Sequence, residues 1–227
     1  MNRNPTPTAV RRELAPLPVS DAELAARILA GDAALFELLM RRYNRLLFRL
    51  ARAILKDDDE ARDAVQAAYI LAYYNLDQFR GPTGMQSWLA RITVNEAAGR
   101  RRKRAALPLD DEEWAALPAH ENDEPEHATI RTESLCLMQR AIDELPEDFR
   151  IVFMMRGVEQ LSVAETAAAL DLKEATVKTR FHRARLQLQR SLGRYGVPAV
   201  QDAFRFDGSR CDEIVANVLA AIRPHRA

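Results

Sequence analysis

Between Ala105 and Ile130 the helical periodicity that fills most of this 227-residue sequence stops. The segment carries eight carboxylates, Asp110, Asp111, Glu112, Glu113, Glu121, Asp123, Glu124 and Glu126, and no Lys or Arg. It also holds Pro108, Pro118 and Pro125. Self-repelling charge with little apolar surface to bury gives such a stretch no reason to pack, so it is expected to be a flexible acidic linker. A chain of this length with a break at that point divides into two domains. The expected organisation is a flexible tail at 1–18, a first domain at 19–104, the linker at 105–130, a second domain at 131–195 and a C-terminal extension at 196–227. Fully extended, the linker could reach about 85 Å at ~3.3 Å per residue, and as a random coil about 30 Å. The whole chain is formally neutral, so eight negative charges confined to the linker leave an excess of eight positive charges elsewhere. Charge segregated in this way points to a nucleic-acid partner for the basic parts.

Glycine is scarce, at 8 residues, while Ala, Leu and Arg are abundant. That balance favours helix over strand, and no two-residue alternation appears anywhere. The fold class is therefore all-α: two small helical domains, a four-helix first domain and a helix-turn-helix second domain, joined by the acidic linker. In the first domain, Ser20-Asp21-Ala22-Glu23 has the form of a capping box. Gly31 stops the helix it opens, and Asp32 is placed to cap the next. Apolar residues from Leu35 to Ile54 recur at helical spacing over 33–55. A third helix fits Asp58 to Leu76, its acidic start at Asp57–Glu60 suiting the positive end of a helix dipole. A loop at 77–86 is punctuated by Gly81, Pro82 and Gly84. A fourth helix runs from Ser87 into the basic run Arg100–Arg104.

The second domain opens with a helix marked by Leu135, Met138, Ile142 and Leu145 and ended by Pro146, followed by another over 149–157. The strongest local pattern is at 162–190. Ser162-Val163-Ala164-Glu165 is a capping box, the short helix it opens is Ala-rich, a turn falls at Asp171-Leu172, and a longer basic helix covers 174–192. This is the form of a helix-turn-helix. Val177, Phe181, Ala184 and Leu188 have core spacing. Lys178, Thr179, His182 and Arg183 fall together on another face, where cations meet phosphates and long donors read guanine edges. The loop Phe79-Arg80-Gly81-Pro82-Thr83-Gly84 could present an aromatic for stacking on an unpaired base, or Phe79 and Trp88 could simply be core aromatics bracketing a tight turn. In the extension, Ile214, Val215, Val218, Leu219 and Ile222 form an amphipathic stripe. It either packs back on the domain it follows or receives a regulatory partner.

Other classes are poorly supported. Cys136 and Cys211 lie far apart with no neighbouring ligand at metal spacing, so neither a disulfide framework nor a metal site is expected. No nucleophile with a base nearby, no phosphate-binding glycine loop and no cofactor motif is present, so catalytic residues and cofactors are expected to be none. The longest uncharged stretch, 64–76, is too short to span a bilayer, and 1–15 is not a secretion signal. Membrane insertion is therefore not expected, and a cytoplasmic location is. On these grounds a polymerase-associated factor and an autonomous dimeric regulator both remain open. The second should bind duplex DNA alone and favour palindromes.

Asp63-Ala64-Val65-Gln66, then Phe79-Arg80-Gly81, then Trp88-Leu89-x-Arg91-Ile92-x-x-Asn95 and a basic run resemble region 2 of the extracytoplasmic-function (ECF) sigma factors. Residues from Leu145-Pro146 to Leu192 resemble region 4 of the same family. The chain departs from the family pattern at Ala64, Ala67, Thr166, Thr179 and Phe181, which bears on the promoter that is read. The resemblance implies a protein that binds core RNA polymerase and directs initiation at chosen promoters, without being an enzyme. It implies that Asp63, Val65, Gln66 and Ile70 lie on the polymerase-docking face. It implies that Phe79, Arg80, Arg91, Asn95 and Arg101 melt and read the −10 element, an Asn being able both to donate to and accept from a base edge. It implies that Thr176, Lys178, Thr179, His182 and Arg183 read the −35 element as duplex. By the same analogy the expected partners are core polymerase, promoter DNA and an anti-sigma factor.

Overall fold

The computed structural model describes residues 20–79, 84–106, 130–192 and 208–222, with side chains described from residue 137 in the helix beginning at 130 and from residue 213 in the last one. The expected tail and nearly all of the expected linker lie outside the described residues. Every described element is helical. The first domain contains α1 (Asp21–Leu29), α2 (Phe36–Leu55), α3 (Asp58–Tyr74) and α4 (Gly84–Ala106), with short 3-10 turns at Ala33–Leu35 and Leu76–Gln78. The second contains α5 (Ile130–Asp143), α6 (Glu147–Phe153) running into a π turn at Met154–Val158, α7 (Val163–Leu170) and α8 (Glu174–Leu192). A last helix, α9, spans Gly208–Ile222.

Local chemistry sets these ends. Ser162 and Glu165 form a complete capping box: the Glu165 N–H donates to the Ser162 hydroxyl (3.1 Å) and the Ser162 N–H donates to the Glu165 carboxylate (2.7 Å). At Ser20 one half of the expected box is seen, with the Glu23 N–H donating to the hydroxyl (3.2 Å). Asp57 caps α3 by accepting from the Glu60 N–H at 2.8 Å. Asp32 does not cap the next helix as expected. Its carboxylate accepts from Arg27 (2.9 Å) while a 3-10 turn leads into α2. Gly31 and Gly84 have φ of +115° and +75°, so a side chain would be strained at either. Gly84 turns the chain directly into α4, which starts three residues earlier than its apolar pattern predicts. Lys56 closes α2 in the left-handed region (φ 58°), its N–H donating to the Arg52 carbonyl at 2.9 Å.

α2, α3 and α4 pack on one another, with α1 laid across them. Phe36, Leu39, Met40, Leu47, Leu50, Tyr69, Leu76, Met85 and Leu89 are buried at their centre. Tyr69 donates to the Met40 carbonyl (3.1 Å), and Phe36 meets Tyr69 and Tyr73 edge-on. α1 is fastened by Asp21, which accepts from both Arg42 and Tyr43. Burial, then the hydrogen bond to Asp21, push the Tyr43 phenol well above its usual range.

The two domains close on each other: α6 and the π turn lie on α2, and α7 lies on α4. Arg150 of α6, 3% exposed, sits at the centre of this contact. Its Nη1 donates to the carbonyls of Asp143 (2.9 Å) and Leu145 (2.7 Å), and its Nε donates to the Ala53 carbonyl. Ala53 and Asp143 lie in the last turns of α2 and α5, where carbonyls lack intrahelical donors and carry partial negative charge. One guanidinium thus caps two helices from different domains. Burial holds it below the usual arginine value, with the Asp143 carboxylate opposing that shift. A second buried link joins Arg49 of α2 to Glu159 at 2.6 Å, with 9% and 7% of the two side chains exposed. Arg52 adds a third, donating to Asp58 (3.0 Å) and across the interface to Asp143 (3.3 and 3.4 Å).

The C-terminal extension departs from the expectation that it packs back on the domain it follows. α9 lies instead on α3 and α2 of the first domain. Ile214, Val215, Val218 and Ile222 are buried there, and Arg62 of α3 donates to Glu213 at 3.1 Å.

Two outcomes follow from this geometry. Arg150→Met should leave the Ala53, Asp143 and Leu145 carbonyls without their donor and cost about 2–4 kcal/mol, measured by urea unfolding. Lys56→Gly should raise stability by about 0.5–1 kcal/mol, because relief of a left-handed residue outweighs the entropy glycine adds to the unfolded chain. Lys56→Val in the same assay should lower it.

Candidate nucleic-acid interface

The second-domain surface is built by α7 and α8. Val177, Ala184 and Leu188 are buried as their spacing predicts, and Phe181 is half-buried, stacked against Phe153 at 6.1 Å. Arg156 and Arg185 lie over the Phe181 ring at 5.6 and 5.9 Å, which fixes the ring and places two further cations beside α8. Thr166 is fully buried, its hydroxyl donating to the Ser162 carbonyl at 2.9 Å, so a polar residue in α7 adds no unpaired group. Asp171 turns the chain between the helices in the left-handed region (φ 54°). The result brings Lys178, Thr179, His182 and Arg183 together on one exposed face of α8. Thr179 donates to the Ala175 carbonyl at 2.9 Å. Thr176 is half-buried at the start of the same helix.

The first-domain surface is a cleft of about 500 Å³ between the end of α3 and the face of α4. Leu71, Asn75 and Gln78 form one wall, and Trp88, Arg91, Ile92, Asn95 and Glu96 the other. Its size lies within the range of sites that hold small planar ligands. Asn95 and Arg91 are exposed at its rim. Phe79 is half-buried and leans on Trp88, the ring centroids 5.7 Å apart and tilted by 50°. Both rings pack against the core, as the second reading of this pair expects, and Trp88 also lines the cleft whereas Phe79 does not. Arg80 lies outside the described residues. Two wall residues, Asn75 and Gln78, were not among those expected. The Asn75 side-chain amide donates to the Leu71 carbonyl (2.8 Å), and the Gln78 amide donates to Asn75 (2.9 Å). In the sequence Asn75 reads only as the end of the third helix and Gln78 as part of the loop after it; a pair of amides three apart beside Phe79-Arg80-Gly81 was the available signal.

The basic candidates on α4 face the second domain's acids. Arg91 stands 4.0 Å from Asp171, both well exposed, and Arg101 pairs with Glu147. Exposed pairs of this kind are worth about 0–1 kcal/mol.

The polymerase-docking candidates fall on α3. Asp63 is exposed, and Gln66 and Ile70 are half-buried along one strip of the helix. Val65 is fully buried among the first-domain core residues, so it supports the strip from beneath and has no surface to offer a partner.

Comparison with known proteins agrees with this arrangement. Residues 39–106 match the family described as Sigma-70 region 2, and residues 137–188 match Sigma-70, region 4. The chain is 37% identical to the ECF RNA polymerase sigma factor SigM of Mycobacterium tuberculosis, over 77% of this chain and 85% of that protein. It is 35% identical to the ECF RNA polymerase sigma-E factor of Escherichia coli, over 74% of this chain and 91% of that protein. In fold it is similar to the sigma factor RpoE of Bartonella quintana, solved in complex with the anti-sigma factor NepR (TM-score 0.55, 23% identity, covering 74% of this chain and 98% of that one). It is also similar to CnrH, solved with the cytosolic domain of CnrY (TM-score 0.52, 23% identity, covering 76% and 97%). Two helical regions matched in order, over most of the length of close relatives, place this chain in the ECF group of RNA polymerase sigma factors, promoter-recognition subunits of transcription initiation rather than enzymes.

Proposed function

We propose that the first domain captures an unpaired base of the −10 element in the α3–α4 cleft, while α8 reads the −35 element as duplex. The cleft carries this reading. It joins an aromatic wall, Trp88, to three side-chain amides, those of Asn75, Gln78 and Asn95, in a space that a single base can enter. Extruding a base costs a few kcal/mol of lost stacking. Stacking on an aromatic returns about 1–3 kcal/mol, and amide contacts to the base edge supply selectivity. Asn95 is the base-reading residue, Phe79 braces Trp88, and Arg80, Arg91 and Arg101 hold the flanking phosphates. On α8, Lys178 and Arg183 meet phosphates and guanine edges, and Thr176, Thr179 and His182 complete the groove-facing surface. The strip Asp63, Gln66 and Ile70 docks on core polymerase. RpoE of Bartonella quintana, similar in fold, is solved with an anti-sigma factor, and this chain takes a partner of that class.

Single-round transcription with core polymerase and a promoter pool tests the division of labour. Asn95→Ala should reduce open complexes by tenfold or more, matching the ~1–3 kcal/mol of one good base contact, while −35 dependence stays intact. Lys178→Ala should weaken −35 dependence, costing about 1–3 kcal/mol of binding at the preferred −35 sequence relative to others. If core enzyme gains no start sites while the chain alone shifts duplex DNA, the assignment to promoter opening is wrong.

A further inference from the structure

α9 follows the second domain in sequence and covers a surface of the first. It follows α8, yet its buried face, Ile214, Val215, Val218 and Ile222, lies on α3 and α2. Its contact on α3 can be located. Glu213 accepts from Arg62 (3.1 Å), and Arg62, Gln66 and Ile70 recur at i, i+4 and i+8, one continuous strip of the helix. Asp63 borders that strip. Gln66 and Ile70 are half-buried and Arg62 retains a quarter of its side-chain exposure. The buried face of α9 joins the same apolar cluster as α2 and α3, yet α9 lies beyond both family regions matched in the chain, the second of which ends at residue 188.

We propose that α9 is a built-in occupant of the polymerase-docking face, and that core polymerase and α9 compete for the same α2–α3 surface. The inference rests on the reading of Asp63, Gln66 and Ile70 as docking residues and adds the regulation of that site. A tethered segment is present at high effective concentration. A protein whose competent state is only fractionally populated binds its partner more weakly by that fraction. The four apolar residues hold the helix down, and the Arg62–Glu213 pair fixes its register. The pair is partly exposed and exchangeable, as a displaceable cover requires.

Two variants of the full chain release α9 in different ways. Val218 is fully buried, and Val218→Asp puts a carboxylate where it cannot remain. Glu213→Arg sets like charges against Arg62. Release is read from loss of amide-exchange protection in 208–222, and affinity for core polymerase from titration of labelled protein in the absence of DNA. Both variants should expose the α9 amides and bind core polymerase about tenfold more tightly than the parent, with protection of α2 and α3 amides retained. Loss of α9 protection with unchanged or weaker core affinity overturns the proposal. Adding Asp63→Arg to the Val218→Asp chain separates the two readings. If that change weakens core binding while release of α9 alone has no effect, docking at the strip stands and the cover is wrong. If Asp63→Arg has no effect on core binding, the docking assignment itself has failed, and the cover falls with it.

Discussion

The buried Arg150 guanidinium ties the two domains of this chain together. A buried cation is costly unless every hydrogen-bonding direction is met, and here the acceptors come from both sides of the interface: Ala53 from α2, Asp143 and Leu145 from the end of α5. Two of those three carbonyls belong to helix ends, which need a donor in any case. Closing the domains adds the Ala53 carbonyl, in the last turn of α2, to the two acceptors that Arg150 has within its own domain. Opening them would leave the Arg150 Nε and the Ala53 carbonyl to find water. The Arg49–Glu159 pair, nearly as buried, works in the same direction and is little screened by salt.

The contacts nearer the candidate DNA-binding residues are of another kind. Arg91–Asp171 and Arg101–Glu147 join partly or well exposed side chains. The interface is thus strong where it is dry and weak where it is wet, and the wet part includes arginines of α4. That helix has two neighbours to serve. One side receives α7, and another forms the wall of the cleft with Asn95 and Trp88. Any change in how the second domain sits is felt along the helix that carries the candidate base-reading residue.

The helix-turn-helix was legible in the sequence almost residue by residue. Its determinants are local: a reciprocal cap at Ser162 and Glu165, a left-handed turn residue at Asp171, and a core face at Val177, Ala184 and Leu188 with the cations opposite. What the sequence hid is what depends on distant parts of the chain. Asp32 has the right identity for a cap, but Arg27 claims its carboxylate. Val65 matches a docking motif, yet its position on α3 turns it into the core. Asn75 and Gln78 acquire meaning only when α4 arrives opposite them. The stripe on α9 announced that one face would be buried, and carried no information about which domain would bury it. Periodicity reports that a helix has an apolar face; only the tertiary fold names the surface that receives it.

Charge gives the last link between composition and behaviour. A neutral total conceals eight surplus cations outside the acidic segment, and cations on an exposed helix bind any duplex through phosphate contacts, whatever its sequence. A promoter-recognition subunit gains from restraining that attraction until both of its elements can be engaged together. The chain's own carboxylates stand on these basic surfaces: Asp171 and Glu147 lie opposite α4 arginines, and Asp148 accepts from Arg180 of α8 at 2.6 Å. Each is a partly exposed pair, weak enough to yield to a phosphate. Moderate internal ion pairs on a basic surface therefore lower its attraction to phosphates in general, and phosphates are alike in every duplex, so any choice of sequence has to come from contacts to the bases.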